Sequence, residues 1–434
     1  MKRADVLGVG VAGPIGGDSR SEHRVTARPG WEALSEREAW GVITSVSGIG
    51  PVGFAMLLGH FGTGRGILAA ATRPRAVRRL VAAGIHEERE TFGRVVAEEL
   101  VQAAGDPSGV LAAIRDAGVE ILTLDDEAYP ARLRAIEMPP HVLFVRGSVA
   151  ALSSGVAVAV VGTRRPTEHG RLLAARIGAA IARQGGSVVS GLAVGVDGAA
   201  QAAVTAEQGT TVAVLGSGHG RLYPRAHARL AESIVANGGA VVSELAPDVA
   251  PTAGTFPRRN RLISGLSDAT IVVEAASKSG ALITAGWALE QGRDCFMVPG
   301  PIDAPQSAGC LEWLRLYPAD VRIVAGIPEL IEDLGLVGAG RQVTAAGEAR
   351  ERPRRVSLEA ELVELGTTAR RIALELLRGR ATLDELVLAS GQPVATTLGA
   401  LTLLEVRGLA TSAYGRYRPA GRLASADPRT VPAA

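Results

Sequence analysis

Between residues 155 and 300, short apolar runs alternate with amphipathic stretches, and this alternation constrains the fold most. Most of the apolar runs are rich in Val and Ala, and each ends at or next to Gly, Ser, Glu or Pro. Apolar strands alternating with helices predict an α/β domain with a parallel sheet covered on both faces. The predicted strands are 156–161, 187–190, 211–215, 240–243, 269–273 and 295–298, and the predicted helices are 170–183, 197–208, 226–237 and 284–291.

The chain before this domain is predicted to be helical. Residues 1–30 contain no continuous apolar run and are interpreted as a disordered leader, not a signal peptide. Residues 31–105 have apolar positions at helical spacing, interrupted by a glycine turn at 46–50. The glycines of this turn could expose backbone N–H groups that bind a phosphate. Alternatively the turn only connects two helices, and this second interpretation is slightly favoured. Residues 106–338 are assigned to the sheet domain, with further strands at 119–124 and 142–145.

The C-terminal part is predicted to be a separate small domain. Residues 339–366 are rich in Gly, Ala, Arg and Glu and are interpreted as a mobile linker. Three helical stretches and a hairpin pattern within 367–420 predict a winged helix, whose small positive charge permits DNA contact without requiring it. Residues 421–434 are expected to be a disordered tail.

Composition restricts the classes of function. The net charge is only +2, so a nucleic-acid surface must come from local clustering. The two cysteines form no CxxC pair, which disfavours zinc and suits a reducing cytoplasm. No run of 18 apolar residues predicts a membrane span. We find no P-loop, HExxH or GxSxG pattern, and so predict no catalytic residues, metal or cofactor.

The segment from Phe256 to Leu266 is the strongest functional candidate. It places three arginines and an asparagine within six residues. A guanidinium group fits phosphate oxygens two at a time and is costly to bury without an anionic partner. The segment therefore predicts a polyanionic ligand. Glu244 and Glu274 end strands and are expected to pair with these arginines, while Phe256 suits either a base or the core.

The other unusual motifs also follow predicted strands, where open parallel sheets bind ligands. Glycine-rich or small-residue loops occur at 162–167, 190–197, 216–220 and 279–284, and Asp197 is expected to cap the helix that it begins. The candidate DNA-binding residues are Gly162, Thr163, Arg164, Gly191, Phe256, Arg258, Arg259, Asn260, Arg261, Ser279 and Gly280.

Taken in order, these motifs resemble the DNA-processing protein A family, DprA or Smf. The resemblance lies in Gly162-Thr163-Arg164, in the stretches 190–197, 256–266 and 272–285, and in Val298-Pro299-Gly300. It implies an extended Rossmann-like domain, an N-terminal SAM-like helical domain (or helix-hairpin-helix) and a C-terminal winged helix. It also implies a non-enzymatic mediator that binds single-stranded DNA, loads RecA in natural transformation and forms a homodimer through the Rossmann domain.

Three positions depart from the family pattern. Val194 stands where the family often has a cation, Gln201 replaces a common His, and Leu311 replaces a usual Asn. Two alternatives to the mediator stay open. One is a protein that hydrolyses or senses a nucleotide at the same strand ends, and the other is a duplex-binding regulator acting through the winged helix.

Overall fold

The computed structural model describes residues 30–86, 89–336, 358, 362, 365–413, 416–424 and 426. Nearly all of the predicted leader, most of the predicted linker and most of the predicted tail lie outside these residues. Two corrections concern the rest of the linker and tail. Leu362 is buried in the C-terminal core, and the tail begins with a short helix in which Leu423 is buried.

The N-terminal part is a helical unit, as predicted. Its Ser35 side chain accepts a hydrogen bond from Glu38 N, and the Glu38 carboxylate accepts from Ser35 N, which fixes the start of the first helix. The elements are α1 (Glu36–Ser45), α2 (Pro51–Phe61), α3 (Gly64–Ala71), α4 (Ala76–Ala83), β1 (Ile85–His86), β2 (Arg89–Glu90), α5 (Arg94–Gly105) and α6 (Ser108–Asp116).

The central part contains a nine-stranded sheet. Its elements are β3 (Glu120–Thr123), α7 (Ala131–Arg134), β4 (Val142–Gly147), β5 (Ala157–Val161), α8 (Glu168–Arg183), β6 (Ser187–Ser190), α9 (Val196–Ala206), β7 (Thr211–Val214), α10 (Ala228–Ala236), β8 (Ala240–Ser243), α11 (Thr255–Gly265), β9 (Ala269–Val272), α12 (Gly280–Glu290), β10 (Asp294–Met297), α13 (Ala308–Leu316), β11 (Val321–Ile323) and α14 (Ile327–Asp333). Short 3-10 helices occupy Trp31–Ala33, Val149–Ser153, His219–Arg221 and Arg225–His227.

The strand order is β11-β10-β9-β5-β6-β7-β8-β4-β3. The strands β5 to β11 are parallel, whereas β4 pairs antiparallel with β8 and β3. Val160 pairs with Ile271 of β9, and Ala159 pairs with Val189 of β6. The predicted parallel sheet is therefore confirmed, and the two strands predicted at 119–124 and 142–145 extend it with antiparallel pairs.

Apolar side chains fill both faces of the sheet, because buried parallel strands are apolar throughout. One face packs against α7, α11, α12 and α13, and the other packs against α8, α9 and α14. The core of the N-terminal helices continues onto Phe144 of β4 and Ile121 of β3. The sheet edge therefore anchors the N-terminal unit.

The C-terminal part has its own core. It comprises α15 (Thr367–Leu377), α16 (Leu383–Ser390), α17 (Val394–Val406), β12 (Ala410–Ala413), β13 (Arg416–Pro419) and α18 (Gly421–Ala424). Across the described residues, no single helix is long and apolar enough to cross a membrane. One pair, Leu383–Ser390 with Val394–Glu405, meets that test together but is bent by 110°.

Candidate nucleic-acid interface

A crevice lies where the order of the sheet reverses. From β5 the chain proceeds through β6, β7 and β8 on one side, and then returns to place β9 on the other side of β5. The carboxyl ends of such a strand pair leave a gap in which α/β proteins bind ligands. Here the gap is a cavity of about 440 Å³ lined by Val161, Gly162, Thr163, Arg164, Ala193, Asp197, Ala253, Phe256, Pro257, Arg259, Asn260, Ile263, Ser279, Gly280, Ala281, Ile283 and Thr284.

The loop after β5 forms one wall of the crevice. A Cβ on Gly162 would lie 2.6 Å from Val196 Cγ2, so glycine permits this loop to pack against α9. Thr163 N donates to Glu274 O at 2.7 Å and ties the loop to the end of β9. Arg164 follows as an exposed side chain, with its guanidinium carbon 5.1 Å from the ring centre of Phe256. Its charge therefore faces the opening.

Glu274 holds this wall and does not pair with an arginine of the 256–266 segment. Its carboxylate accepts from Thr167 N at 2.9 Å and from Thr167 Oγ1 at 2.5 Å. Thr167 Oγ1 in turn accepts from Gly170 N at 3.0 Å and caps α8. The expected pairing of Glu274 is therefore wrong, because the carboxylate is used at the start of α8.

The arginine segment forms helix α11, and its periodicity separates the side chains. Phe256, Asn260 and Ile263 are spaced i, i+4 and i+7 and line the cavity on one face. Thr255 Oγ1 donates to Gly216 O at 2.6 Å and fixes the start of the helix against the loop after β7. Arg258 points outward and is exposed.

Arg259 lies in the interior, with only 4% of its surface exposed. Its Nη1 donates to Gly191 O at 2.9 Å and also to Val214 O, so it joins the carboxyl ends of β6 and β7. Burial lowers the pKa of Arg259 to about 10, although nearby Asp197 opposes this shift. A Cβ on Gly191 would lie 2.5 to 2.7 Å from the guanidinium, so only glycine admits this contact.

Asp197 is buried close to Arg259 and the Gly191 loop. Its carboxylate accepts from Gly191 N at 3.1 Å, across the loop from 191 to 197. Burial raises the pKa of Asp197, while the charge of Arg259 and the hydrogen bonds act in the opposite direction. The expected capping role is therefore wrong: Gly195 is the N-cap of α9, with no side-chain bond, and Asp197 holds the loop instead.

Arg261 faces away from the crevice. It forms an ion pair with Glu244, and the two side chains are 6% and 11% exposed. This confirms the expected pairing of Glu244 with the segment. Arg259 Nη1 and Arg261 Nη2 are thus bonded to protein partners in this structure, and contact of either guanidinium with a phosphate stays a prediction.

The start of α12 closes the crevice. Ser279 Oγ accepts from Ala281 N at 3.3 Å, and Gly280 O accepts from Asn260 Nδ2 at 3.1 Å. Asn260 therefore fixes α11 to the first turn of α12. The positive end of the α12 dipole opens on the cavity, which favours an anion there.

The sequence of the sheet domain is similar to that of known DNA processing proteins. The family model described as DNA recombination-mediator protein A matches residues 120–335. The DNA processing protein DprA of Bacillus subtilis is 41% identical over 225 residues, which are 52% of this chain and 74% of that protein. The chain belongs to the DprA/Smf family. The resemblance read from the motifs is thereby confirmed.

Further members agree with this assignment. Protein Smf of Escherichia coli is 48% identical over 214 residues, which are 49% of this chain and 56% of that protein. The putative DprA of Mycobacterium tuberculosis H37Rv is 37% identical over 316 residues, which are 69% of this chain and 77% of that protein. The X-ray structure of Streptococcus pneumoniae DprA superimposes with a TM-score of 0.56 and 26% identity, covering 69% of this chain and 98% of that chain.

In this DprA/Smf chain, eight of the eleven candidate residues line the crevice. Gly191 lines a smaller cavity of about 70 Å³ beside it, and Arg258 and Arg261 line neither. DNA contact by the set stays a prediction. Among the departures from the family pattern, Val194 lines the smaller cavity, and buried Gln201 donates to Val212 O at 3.1 Å. Leu311 lies in α13, away from both cavities.

Sequence reasoning missed two side chains beside the crevice. Tyr223 is 47% exposed, lines the smaller cavity, and has its ring centre 5.7 Å from that of Phe256. Lys278 is exposed in the loop just before Ser279. The signals were available in the sequence, since Tyr223-Pro224 follows the loop after β7 and Lys278 is one of only two lysines.

Proposed function

We propose that this protein binds single-stranded DNA along the crevice and acts as a recombination mediator. One observation carries the proposal: exposed cations adjoin a cavity at the switch point of the sheet, into which a helix N-terminus opens. The cations are Arg164, Arg258 and Lys278. Within the described residues, none of the three side chains forms a hydrogen bond or an ion pair. A guanidinium that is free of hydrogen bonds to protein is well suited to phosphate, and the stacking of Arg164 on Phe256 leaves its N–H groups available.

The buried groups give this surface its shape. Arg259, Asp197 and Asn260 fix the loop after β6 and the first turn of α12, so the crevice floor is held by charged and polar bonds. Phosphate would bind to Arg164 and the first amides of α12. Phe256 and Tyr223 offer ring faces for a base beside Arg164, which makes stacking more important than the sequence suggested. Phosphate contacts of this kind bind without sequence preference.

A second candidate function is binding or hydrolysis of a free nucleotide. The volume of the crevice, about 440 Å³, favours it because this size suits a small ligand. The position of Arg258 favours the polymer, because this cation lies outside the cavity, beside the N-terminal unit. Its Nη2 is 3.6 Å from where a Cβ on Gly50 would be. A mononucleotide in the crevice would leave Arg258 unused.

The mediator role extends this binding activity. The family model is named for recombination mediators, and its members include DNA processing proteins. We infer a non-enzymatic, cytoplasmic protein without a cofactor that protects incoming strands during natural transformation and transfers them to RecA. The C-terminal helices and hairpin suit a winged helix, and the N-terminal helices suit a SAM-like domain. Exposed Leu316 and Ile323 at the β11 edge support a homodimer through the sheet domain.

Fluorescence anisotropy with labelled oligonucleotides tests the binding activity. The variant Arg164→Gln/Arg258→Gln should bind single strands more weakly and reduce the slope of log K against log salt by about 1.4, or about 0.7 for each lost contact. The control Arg115→Gln/Arg176→Gln removes two exposed arginines from α6 and α8 and should leave the slope unchanged.

Three outcomes would contradict the proposal. They are no binding of single strands by the unaltered protein at modest ionic strength, cleavage of the strands, or affinity that is independent of length and abolished by free nucleotide. The last of these favours the nucleotide-directed alternative. The mediator role has its own test, in which the protein should speed RecA filament formation on strands already covered by single-strand-binding protein.

A further inference from the structure

The N-terminal helical unit contains a long stretch without acidic residues. From Ala39 to His86, 48 residues include five arginines and no Asp or Glu. The whole chain has 44 acidic residues among 434, so a stretch of this length would hold about five at average density. The net charge of +2 therefore conceals a strongly basic segment, which comprises α2, α3 and α4.

Four of these arginines form one surface, which we call the arginine patch: Arg73, Arg75, Arg78 and Arg79. All four are exposed, and none of their side chains forms a hydrogen bond or an ion pair within the described part of the chain. Three of them border a depression of about 590 Å³, together with Ala71, Thr72, Ala76, Val77, Val101 and Gly105. No Asp or Glu lines this depression, so its field is positive.

Two acidic side chains near the depression are engaged in local hydrogen bonds. Glu98 of α5 accepts from Arg94 at 2.6 Å, and Asp106 accepts from Ser108 at 2.5 Å. Arg94 therefore neutralises Glu98 locally, and neither of these two bonds involves an arginine of the patch. Four guanidinium groups gathered in seven residues repel one another, and an external polyanion would relieve that repulsion.

The backbone of the patch is also unusual. Arg75 precedes α4 with φ of 62°, a left-handed conformation that few residues other than glycine and asparagine adopt. No side-chain cap accompanies it. Strained non-glycine residues of this kind cluster at binding sites. Arg75 therefore occupies a position for which folding alone would select a different residue.

The patch belongs to the same helical unit that contacts Arg258. The start of α2 abuts Arg258, and Gly53 in the same turn faces the ring of Phe92. Gly84 at the end of α4 faces the same ring, whereas the patch is at the beginning of α4. Eight helical residues span roughly 12 Å. The patch and the α2 end that contacts Arg258 therefore belong to the same helical unit, with the patch roughly one helix length from the shared Phe92 ring.

We propose that the arginine patch binds the phosphates of the same single strand after it leaves the crevice. The inference rests on the proposed function, since the patch is a second contact for one ligand. It predicts two classes of oligonucleotide. Short ones fill only the crevice, whereas longer ones reach both surfaces and bind with a steeper salt dependence.

The test compares Arg78→Gln/Arg79→Gln with the control Arg115→Gln/Arg176→Gln on short and long oligonucleotides. The short one is the shortest that the unaltered protein binds. On the long one, the patch variant should lose about 1.4 from the slope of log K against log salt, and on the short one nothing. The control should lose nothing on either. Arg75→Asn should weaken binding of the long strand while keeping the thermal midpoint, because asparagine tolerates left-handed φ.

Equal slopes for the patch variant and the control on long strands would overturn the inference, as would equal losses on short and long strands. A patch variant that binds long strands normally but no longer captures an acidic protein would assign the surface to protein. Failure of the proposed function looks different, because the unaltered protein would then bind neither oligonucleotide.

Discussion

Replacing Arg259 by Met should destabilise the protein instead of merely weakening DNA binding. Methionine retains most of the side-chain volume but donates no hydrogen bond. Gly191 O and Val214 O would lose their donor, at about 1–3 kcal/mol for each buried group. Asp197 would also lose its neighbouring cation. Removal of one partner from a buried charge pair costs about 3–5 kcal/mol, and the overlapping losses place the expected effect in that range.

The pH dependence of this variant has a definite sign. Burial raises the pKa of Asp197 in the folded protein, so its contribution to stability is fully present below the unfolded pKa and is lost as pH rises through the folded pKa. Without Arg259 the folded pKa rises further. The penalty of Arg259→Met should therefore be largest near neutral pH and should shrink on acidification. The double variant Asp197→Asn/Arg259→Met should recover about 1–3 kcal/mol relative to additivity.

Urea unfolding followed by circular dichroism measures the stability, and anisotropy measures the salt slope under native conditions. Arg258→Met is the matched control, because Arg258 is the adjacent position on α11 and is exposed. It should change stability by less than about 0.5 kcal/mol and the slope by about 0.7. Arg259→Met could instead keep full stability and lower the salt slope by about 0.7, the value expected for one lost phosphate contact. Arg259 would then face DNA, and its assignment to the interior would be refuted.

Three further predictions concern single positions. Arg261→Ala should cost about 3–5 kcal/mol in urea unfolding by leaving Glu244 buried and unpaired, and an unchanged midpoint would contradict the ion pair. Gly191→Ala should cost about 1–3 kcal/mol, since its Cβ would meet the Arg259 guanidinium, and a thermal midpoint at the original value would contradict that contact. Burial lowers the pKa of His141 to about 4, so its stabilisation is present above pH 6.5 and lost as pH falls towards 4. The loss reaches about 3 kcal/mol, and His141→Phe should flatten this part of the stability profile; an identical profile would contradict the burial of the imidazole.

The sheet was predictable from the sequence because each central strand is buried on both faces. An apolar run such as 187–190 has no competing interpretation when amphipathic helices flank it, and the observed strand has the same bounds. The ends of β5, β6 and β9 could also be placed, since each is followed by a glycine or small-residue loop. Strand order was not predictable. No local pattern shows that β9 returns to the far side of β5, and that return creates the crevice.

The roles of the arginines in α11 were not predictable for a related reason. In sequence they are one cluster, but each helical residue is rotated by about 100° from the one before. Arg258 therefore faces the solvent, whereas Arg259 faces the interior of the protein. The partners that decide this are remote, since Gly191 is 68 residues from Arg259 and Val214 is 45 residues from it. A buried arginine does need a partner, as the sequence argument assumed. Here the partners are backbone carbonyl groups for Arg259 and the Glu244 carboxylate for Arg261, all within the protein.

The separation of buried and exposed arginines shows how a nearly neutral chain could bind a polyanion, as proposed. The affinity for single strands follows the number of phosphates neutralised, not the net charge of the protein. We expect buried Arg259 and Arg261 to contribute nothing to that number: Arg259 helps to hold the crevice floor, and Arg261 pairs with Glu244 on the side away from the crevice. Under the proposed function, the exposed arginines of the crevice and of the patch would supply the contacts. Salt dependence should therefore track substitutions at exposed positions, and unfolding free energy should track substitutions at buried ones, even between neighbours on one helix.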